Sequence, residues 1–164
     1  MTNYRFPDGA AIVFGGSGGL GSGVVDLLSK CGTDVALTYF KNKDAADENI
    51  EKIKANGQKG YASSVDLLDV KQVEDFVNTS KKEFGRIHSV IFATGPFLHI
   101  LPILEAKPED VYNTLDTDIK GFYHVLRSIV PVLKEGGGGS ITALTTAAIH
   151  KYISTDGLSS VPKS

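Results

Sequence analysis

The chain has 164 residues, enough to bury one sizeable core but not two, so a single domain over 1–164 is expected. Nineteen acidic against seventeen basic residues give a formal net charge of −2 with no basic block, which argues against nucleic acid as a partner. No uncharged run is long enough to cross a bilayer, the N-terminal stretch has no signal-peptide core, and Cys31 is the one cysteine, so neither a membrane partner, an intrachain disulfide nor a metal site is expected, and a reducing, cytoplasmic setting fits best. Cys31 itself reads as a small residue packed at a helix end.

Apolar runs of strand length alternate with segments of helical period, the pattern of successive βαβ units and a parallel sheet. Residues 10–14 read as a first buried strand, followed by a glycine cluster and a helix over 19–30 that stops at Gly32. A second strand is read over 35–39, then a helix over 44–56 with acids early, lysines late and Gly57 closing it. A third strand over 60–65 is weaker by composition. Asp69 can cap a helix running through Val73, Phe76 and Val77 to Phe84, where Gly85 ends it. A short apolar fourth strand over 90–93 leads into a loop over 94–107, whose prolines and exposed-looking Phe97 and His99 put it over the carboxyl ends of the strands. Pro108 suits a helix start, and Val111, Leu115, Ile119, Phe122, Val125, Leu126 and Ile129 keep the period of one long helix to about Leu133. A glycine turn over 136–139, a fifth strand over 140–144 and a polar loop from Thr145 follow, with a helix start near Thr155.

The first chemical motif is Gly15-Gly16-Ser17-Gly18-Gly19-Leu20-Gly21, between the first strand and the first helix. Glycines there let the backbone turn tightly and bring N–H groups, at the positive end of a helix, against a pyrophosphate. The expected architecture is an α/β, Rossmann-type, doubly wound parallel sheet in the order 3-2-1-4-5, with helices on both faces and the dinucleotide across the switch point between strands one and four.

The spacing Gly15-x-x-x-Gly19-x-Gly21 resembles the glycine signature of the short-chain dehydrogenases/reductases, and further features follow in that family's order over nearly the whole chain. Asp66-Leu67 stands where family members hold the adenine through an acid. Ala93-Thr94-Gly95 ends the fourth strand, 116–121 resembles the start of the family's long interface helix, and 139–146 resembles the strand that delivers a catalytic hydroxyl. The resemblance implies Gly15, Ser17, Gly18, Gly19, Leu20, Gly21, Asp66, Leu67, Ala93, Thr94 and Gly95 as cofactor contacts, and a homodimer or homotetramer assembled through the helix 109–133.

Family members that prefer NAD usually end the second strand with an acid, whereas a 2′-phosphate calls for cations. Here that position is Tyr39, followed by Lys41 and Lys43, so NADP(H) is the expected cofactor, with Tyr39 and Lys41 at its ribose.

At the catalytic positions the chain departs from the family's serine, tyrosine, lysine and helical asparagine. The asparagine position reads Asp118, the serine position Thr146, and Tyr-x-x-x-Lys reads Ser159-x-x-x-Lys163. The lysine is kept and the phenol is not, and an aliphatic hydroxyl is a far poorer proton donor that needs a water or another group behind it. Phe14 and Phe92 replace polar residues often found beside the glycine loop and at the end of the fourth strand. Tyr152 is the nearest alternative phenol, but its spacing to Lys163 matches no known pattern and an ordinary loop tyrosine is the simpler reading.

The resemblance therefore implies an NADPH-dependent oxidoreductase that reduces a small carbonyl or acyl-thioester substrate, with Lys163 holding the nicotinamide ribose and Thr146 and Ser159 orienting the substrate oxygen. Ser-x-x-x-Lys is also similar to the 2,4-dienoyl-CoA reductase branch, where a conjugated thioester needs hydrogen-bond donors more than a strong acid. Members of the family continue for several more elements after the lysine, so a domain incomplete at its C-terminus is expected. A non-catalytic dinucleotide- or partner-binding module is the competing expectation.

Overall fold

In a computed structural model, which describes residues 6–95, 101–151 and 153–163, strand β1 (Ala10–Phe14) is buried at every position. It is the centre of a five-stranded sheet with β2 (Asp34–Tyr39), β3 (Gly60–Ser64), β4 (Ile87–Phe92) and β5 (Ser140–Ala143), all parallel and in the order β3-β2-β1-β4-β5. Phe97, His99 and Tyr152 lie outside the described residues.

Both faces of β1 are covered, which is why its sequence shows no polar alternation. Ala10, Ile12 and Phe14 pack toward α3 (Val70–Phe84) and α5 (Gly121–Glu135), against Val73, Phe76, Val77, Val125 and Ile129. Ala11 and Val13 pack toward α1 (Gly19–Lys30) and α2 (Lys43–Ala55), against Val25, Leu28, Ala46 and Ile53. Burying each valine, leucine, isoleucine or phenylalanine among them stabilises the sheet by about 1.5–3 kcal/mol. Phe14 and Phe92 are core residues, with Phe14 edge-on to Phe76 and Phe92 tilted against Phe122.

Two departures from the sequence reading have a physical cause. β4 begins at Ile87, three residues before the expected start, because a bulge interrupts the alternation: Ala10 pairs with Ile87 and Ala11 with Ser89, so His88 is the extra residue. The single helix expected to Leu133 is instead α4 (Pro108–Leu115), a π-helical turn (Asp116–Lys120) and α5. The wide turn shifts the helical register, so Asp118 is buried while Ile119, counted as core-facing, is half exposed.

Elsewhere the ends move by a residue or two, as frayed ends do. β2 starts at Asp34, α2 spans Lys43–Ala55, β3 stops at Ser64, β5 stops at Ala143, and the last helix, α6 (Gly157–Lys163), starts after Thr155. The expected loop after β4 contains a short 3-10 turn (Ile103–Glu105). Cys31 caps the C-terminus of α1 and is half-buried. Among the described residues no helix is long and apolar enough to cross a membrane.

Candidate dinucleotide site

The carboxyl ends of β1, β2, β3 and β4 open on a cleft of about 960 Å³. Gly15, Ser17 and Gly18 form one wall at the point where the chain leaves β1 for α1. Gly15 takes a left-handed φ of 80°, and a Cβ there would meet the Ala93 carbonyl oxygen at 2.9 Å. Gly21 is more constrained: a Cβ would lie 2.1 Å from the Gly15 carbonyl oxygen, so α1 can approach the loop this closely only with glycine. Gly19 has no neighbour within 4 Å of a Cβ, and Leu20 is exposed.

These residues fit a pyrophosphate. Gly18, the N-cap of α1, makes no side-chain cap, and the first turn carries no acid. The helix therefore turns uncapped N–H groups and its positive end outward, beside the cleft-lining backbone of Ser17 and Gly18, where an anion is favoured.

At the β2 end, Tyr39, Phe40, Lys41 and Asn42 line the cleft. The Lys41 ammonium lies 5.4 Å from the Phe40 ring centroid and remains on the cleft wall. Lys43, grouped with Lys41 in the sequence reading, is instead the first residue of α2 and bonds Asp47 at 2.5 Å, an exposed pair that raises its pKa. At the β3 end, Asp66 and Leu67 line the cleft, and Asp66 accepts a hydrogen bond from the Leu68 N–H at 2.9 Å. Ala93, Thr94 and Gly95 follow β4 into the opposite wall.

Of the four catalytic candidates, Asp118 and Lys163 meet directly, whereas Thr146 is bonded to Asp156. Asp118, with its side chain 3% exposed, binds the ammonium of Lys163, 16% exposed, across 45 residues of sequence. A Cβ on Gly95 would stand 3.5 Å from the Lys163 Nζ and 3.6 Å from Asp118 Oδ1, so the pair packs directly against a residue that lines the cleft. Asp118 Oδ1 is buried without a hydrogen-bond partner among the described residues. Thr146 donates to Asp156 Oδ2 at 3.2 Å and accepts from the Ala148 N–H at 3.2 Å. Ser159 is buried on α6, one turn before Lys163.

A match to the short chain dehydrogenase family model covers residues 9–155. The chain belongs to that family. A glycine betaine reductase of Emericella nidulans is 29% identical over 153 residues, 93% of this chain and 12% of that protein. A 3-oxoacyl-(acyl-carrier-protein) reductase, FabG, of Staphylococcus epidermidis is 26% identical over 137 residues, 84% of this chain and 56% of the reductase. The solved structure of a short-chain type dehydrogenase/reductase from Mycobacterium ulcerans superposes with a TM-score of 0.90 at 26% identity, over 98% of this chain and 59% of that one. The chain thus spans little more than half the length of these two last relatives.

Short-chain dehydrogenases are oxidoreductases that bind nicotinamide dinucleotides, so the glycine loop and cleft belong to a family whose cofactor they fit. Sequence motifs alone missed Thr38 and Asn49, which hold the glycine loop from behind. Thr38 accepts the Gly15 N–H at 3.0 Å, and Asn49 donates to the Gly16 carbonyl at 2.9 Å. Each left a signal: Thr38 is polar within an apolar strand, and Asn49 shares the buried face of α2 with Ala46 and Ile53.

Proposed function

We propose that this chain is the cofactor-binding part of an NADPH-dependent short-chain reductase acting on a small carbonyl or acyl-thioester substrate in the cytoplasm. The observation that carries the cofactor choice is the β2 end of the cleft, where Tyr39, Phe40, Lys41 and Asn42 line the wall and no acid ends the strand. A ribose 2′-phosphate there meets the Lys41 ammonium, whereas the unmodified ribose diol of NADH lacks the carboxylate acceptor it is usually given. FabG, a relative named for reducing a 3-oxoacyl thioester, supports the substrate class.

When bound, the nicotinamide supplies the hydride. The protein's own tasks are to orient the cofactor and to stabilise or protonate the substrate oxygen. The glycine loop binds the pyrophosphate, Asp66 and Leu67 take the adenine end, and Lys163 and Asp118 sit against Gly95 at the other end. The Asp118 carboxylate fixes the ammonium in place, Ser159 provides a hydroxyl at the family's phenol position, and Thr146 provides one at its serine position. The test is NADPH oxidation with a 3-oxoacyl thioester or a small ketone. Loss of turnover in Lys163→Ala by a larger factor than any loss of NADPH affinity supports the assignment, and full turnover in that variant refutes it.

A second reading has its own observation: Ser159 is buried and Lys163 is already engaged by Asp118. A non-catalytic dinucleotide-binding module predicts NADPH binding without turnover on any of these substrates. A dienoyl-thioester reductase using Ser159-x-x-x-Lys163 predicts turnover restricted to conjugated thioesters. The exposed side chains of Tyr112, Ile119 and Tyr123 along α4, the π turn and α5 support self-association into a dimer or tetramer through this surface. Light scattering on Tyr123→Glu tests it by loss of the oligomer.

A further inference from the structure

Asn49 lies in the middle of α2 and is 1% exposed, on a helix face whose other buried members are Ala46 and Ile53. A polar amide at such a position is destabilising unless its hydrogen bonds are made. Its Nδ2 donates to the Gly16 carbonyl oxygen at 2.9 Å and to Ser22 Oγ at 2.9 Å, and Ser22 Oγ donates to the same carbonyl at 3.2 Å. The Gly16 oxygen is therefore drawn inward by two donors, one from α2 and one from the first turn of α1. Glycines at 15, 16 and 18 leave the intervening peptides little steric preference of their own. The peptide plane is rigid and trans, so the Ser17 N–H points opposite to the Gly16 C=O. Tying that oxygen inward turns the Ser17 N–H outward, toward the cleft that Ser17 lines.

Resting on the reading of the cleft as a dinucleotide site, we infer that Asn49, with Ser22, is a positioning residue for pyrophosphate recognition: it locks the Gly16–Ser17 peptide with its N–H toward the anion and its carbonyl away. A flipped peptide would present a carbonyl oxygen to the phosphates and remove a charge-assisted hydrogen bond. The lock acts on the pyrophosphate and leaves the adenosine end, held by other residues, untouched.

The test compares Asn49→Leu and Ser22→Ala with the wild type in titrations of NADPH, NADH and adenosine 2′-phosphate, which has no pyrophosphate, and in nitrogen-15 relaxation of the Ser17 amide. Asn49→Leu should weaken dinucleotide binding about tenfold or more, the loss of one hydrogen bond to a charged group, while adenosine 2′-phosphate affinity stays within about twofold. Ser22→Ala, which keeps the buried face of α2 intact, should act in the same direction by a smaller factor, and the Ser17 amide should become more mobile in both. If Asn49→Leu does not fold, Ser22→Ala decides by itself. Equal weakening of dinucleotide and fragment, or unchanged affinity with unchanged Ser17 mobility in Ser22→Ala, overturns the inference. A wild-type protein that binds neither dinucleotide defeats the cofactor reading instead, and Ser17 mobility in the wild type against the two variants still decides whether the peptide is locked.

Discussion

The same substitution placed twice on α1 should have opposite effects. At Gly21 a Cβ would stand 2.1 Å from the Gly15 carbonyl oxygen, 2.9 Å from its carbon and 3.0 Å from the Gly16 Cα, all backbone atoms of the glycine loop. None of these can rotate away, so Gly21→Ala must push the helix off the loop by about 1 Å, at the upper end of the usual cost of overpacking, about 3 kcal/mol. For a chain of this size that lowers Tm by about 6–12 °C. Moving the N-terminus of α1 also disrupts at least one hydrogen bond to the pyrophosphate, so NADPH affinity should fall about tenfold or more. At Gly23, one turn-fraction further along the same helix, nothing lies within 4 Å of a Cβ. Gly23→Ala should therefore stabilise by about 0.8–1 kcal/mol through helix propensity, raising Tm by about 2–4 °C with NADPH affinity unchanged. Thermal unfolding and NADPH titration of the two variants read both effects. A Gly21→Ala protein with wild-type stability and affinity, or two variants that shift Tm in the same direction, would refute the close-approach explanation.

Two further outcomes follow from buried polar groups. Asp118→Asn, which removes the charge facing Lys163, should keep the fold and change turnover by a larger factor than NADPH affinity; equal changes in both, read from steady-state rates and titration, would make the pair structural only. Burial, and then the nearby Arg86 charge, hold the His88 imidazole below its ordinary value of 6.5. The unfolded chain then takes up the proton first, so this contribution is complete above pH 6.5 and declines as pH falls from 6.5 to the lower folded-state value. Urea unfolding across pH 5–8 should show that decline in the wild type and a flatter profile in His88→Gln; parallel profiles would contradict it.

Local chemistry made much of the fold legible. The bounds of α3 follow directly from Asp69, which accepts hydrogen bonds from the Lys71 and Gln72 N–H groups, and from Gly85, which closes the helix at a φ of 75°. The buried strands β1 and β2 were legible because covering on both faces leaves continuous apolar runs. The bulge at His88 was not legible, since an extra residue puts Ile87 and Val90 on one face three positions apart and destroys the period of two. The π turn was hidden for a similar reason: it changes which residue faces inward, exchanging Asp118 for Ile119, without changing composition. Several residues named from a motif, among them Gly15, Ser17, Gly18 and Asp66, line the cleft. Thr38, Asn49 and Asp156 act through contacts 23, 33 and 10 residues away, and only the folded chain brings those partners together.

The most direct test of the cofactor assignment is a paired titration of the wild-type protein and Lys41→Ala with NADPH and NADH at one ionic strength. If Lys41 reads the 2′-phosphate, the wild type binds NADPH more tightly, and Lys41→Ala weakens NADPH by about tenfold, the loss of one charge-assisted contact, while NADH is unaffected. Tighter binding of NADH by the wild type, or an equal loss for both dinucleotides in the variant, would contradict it.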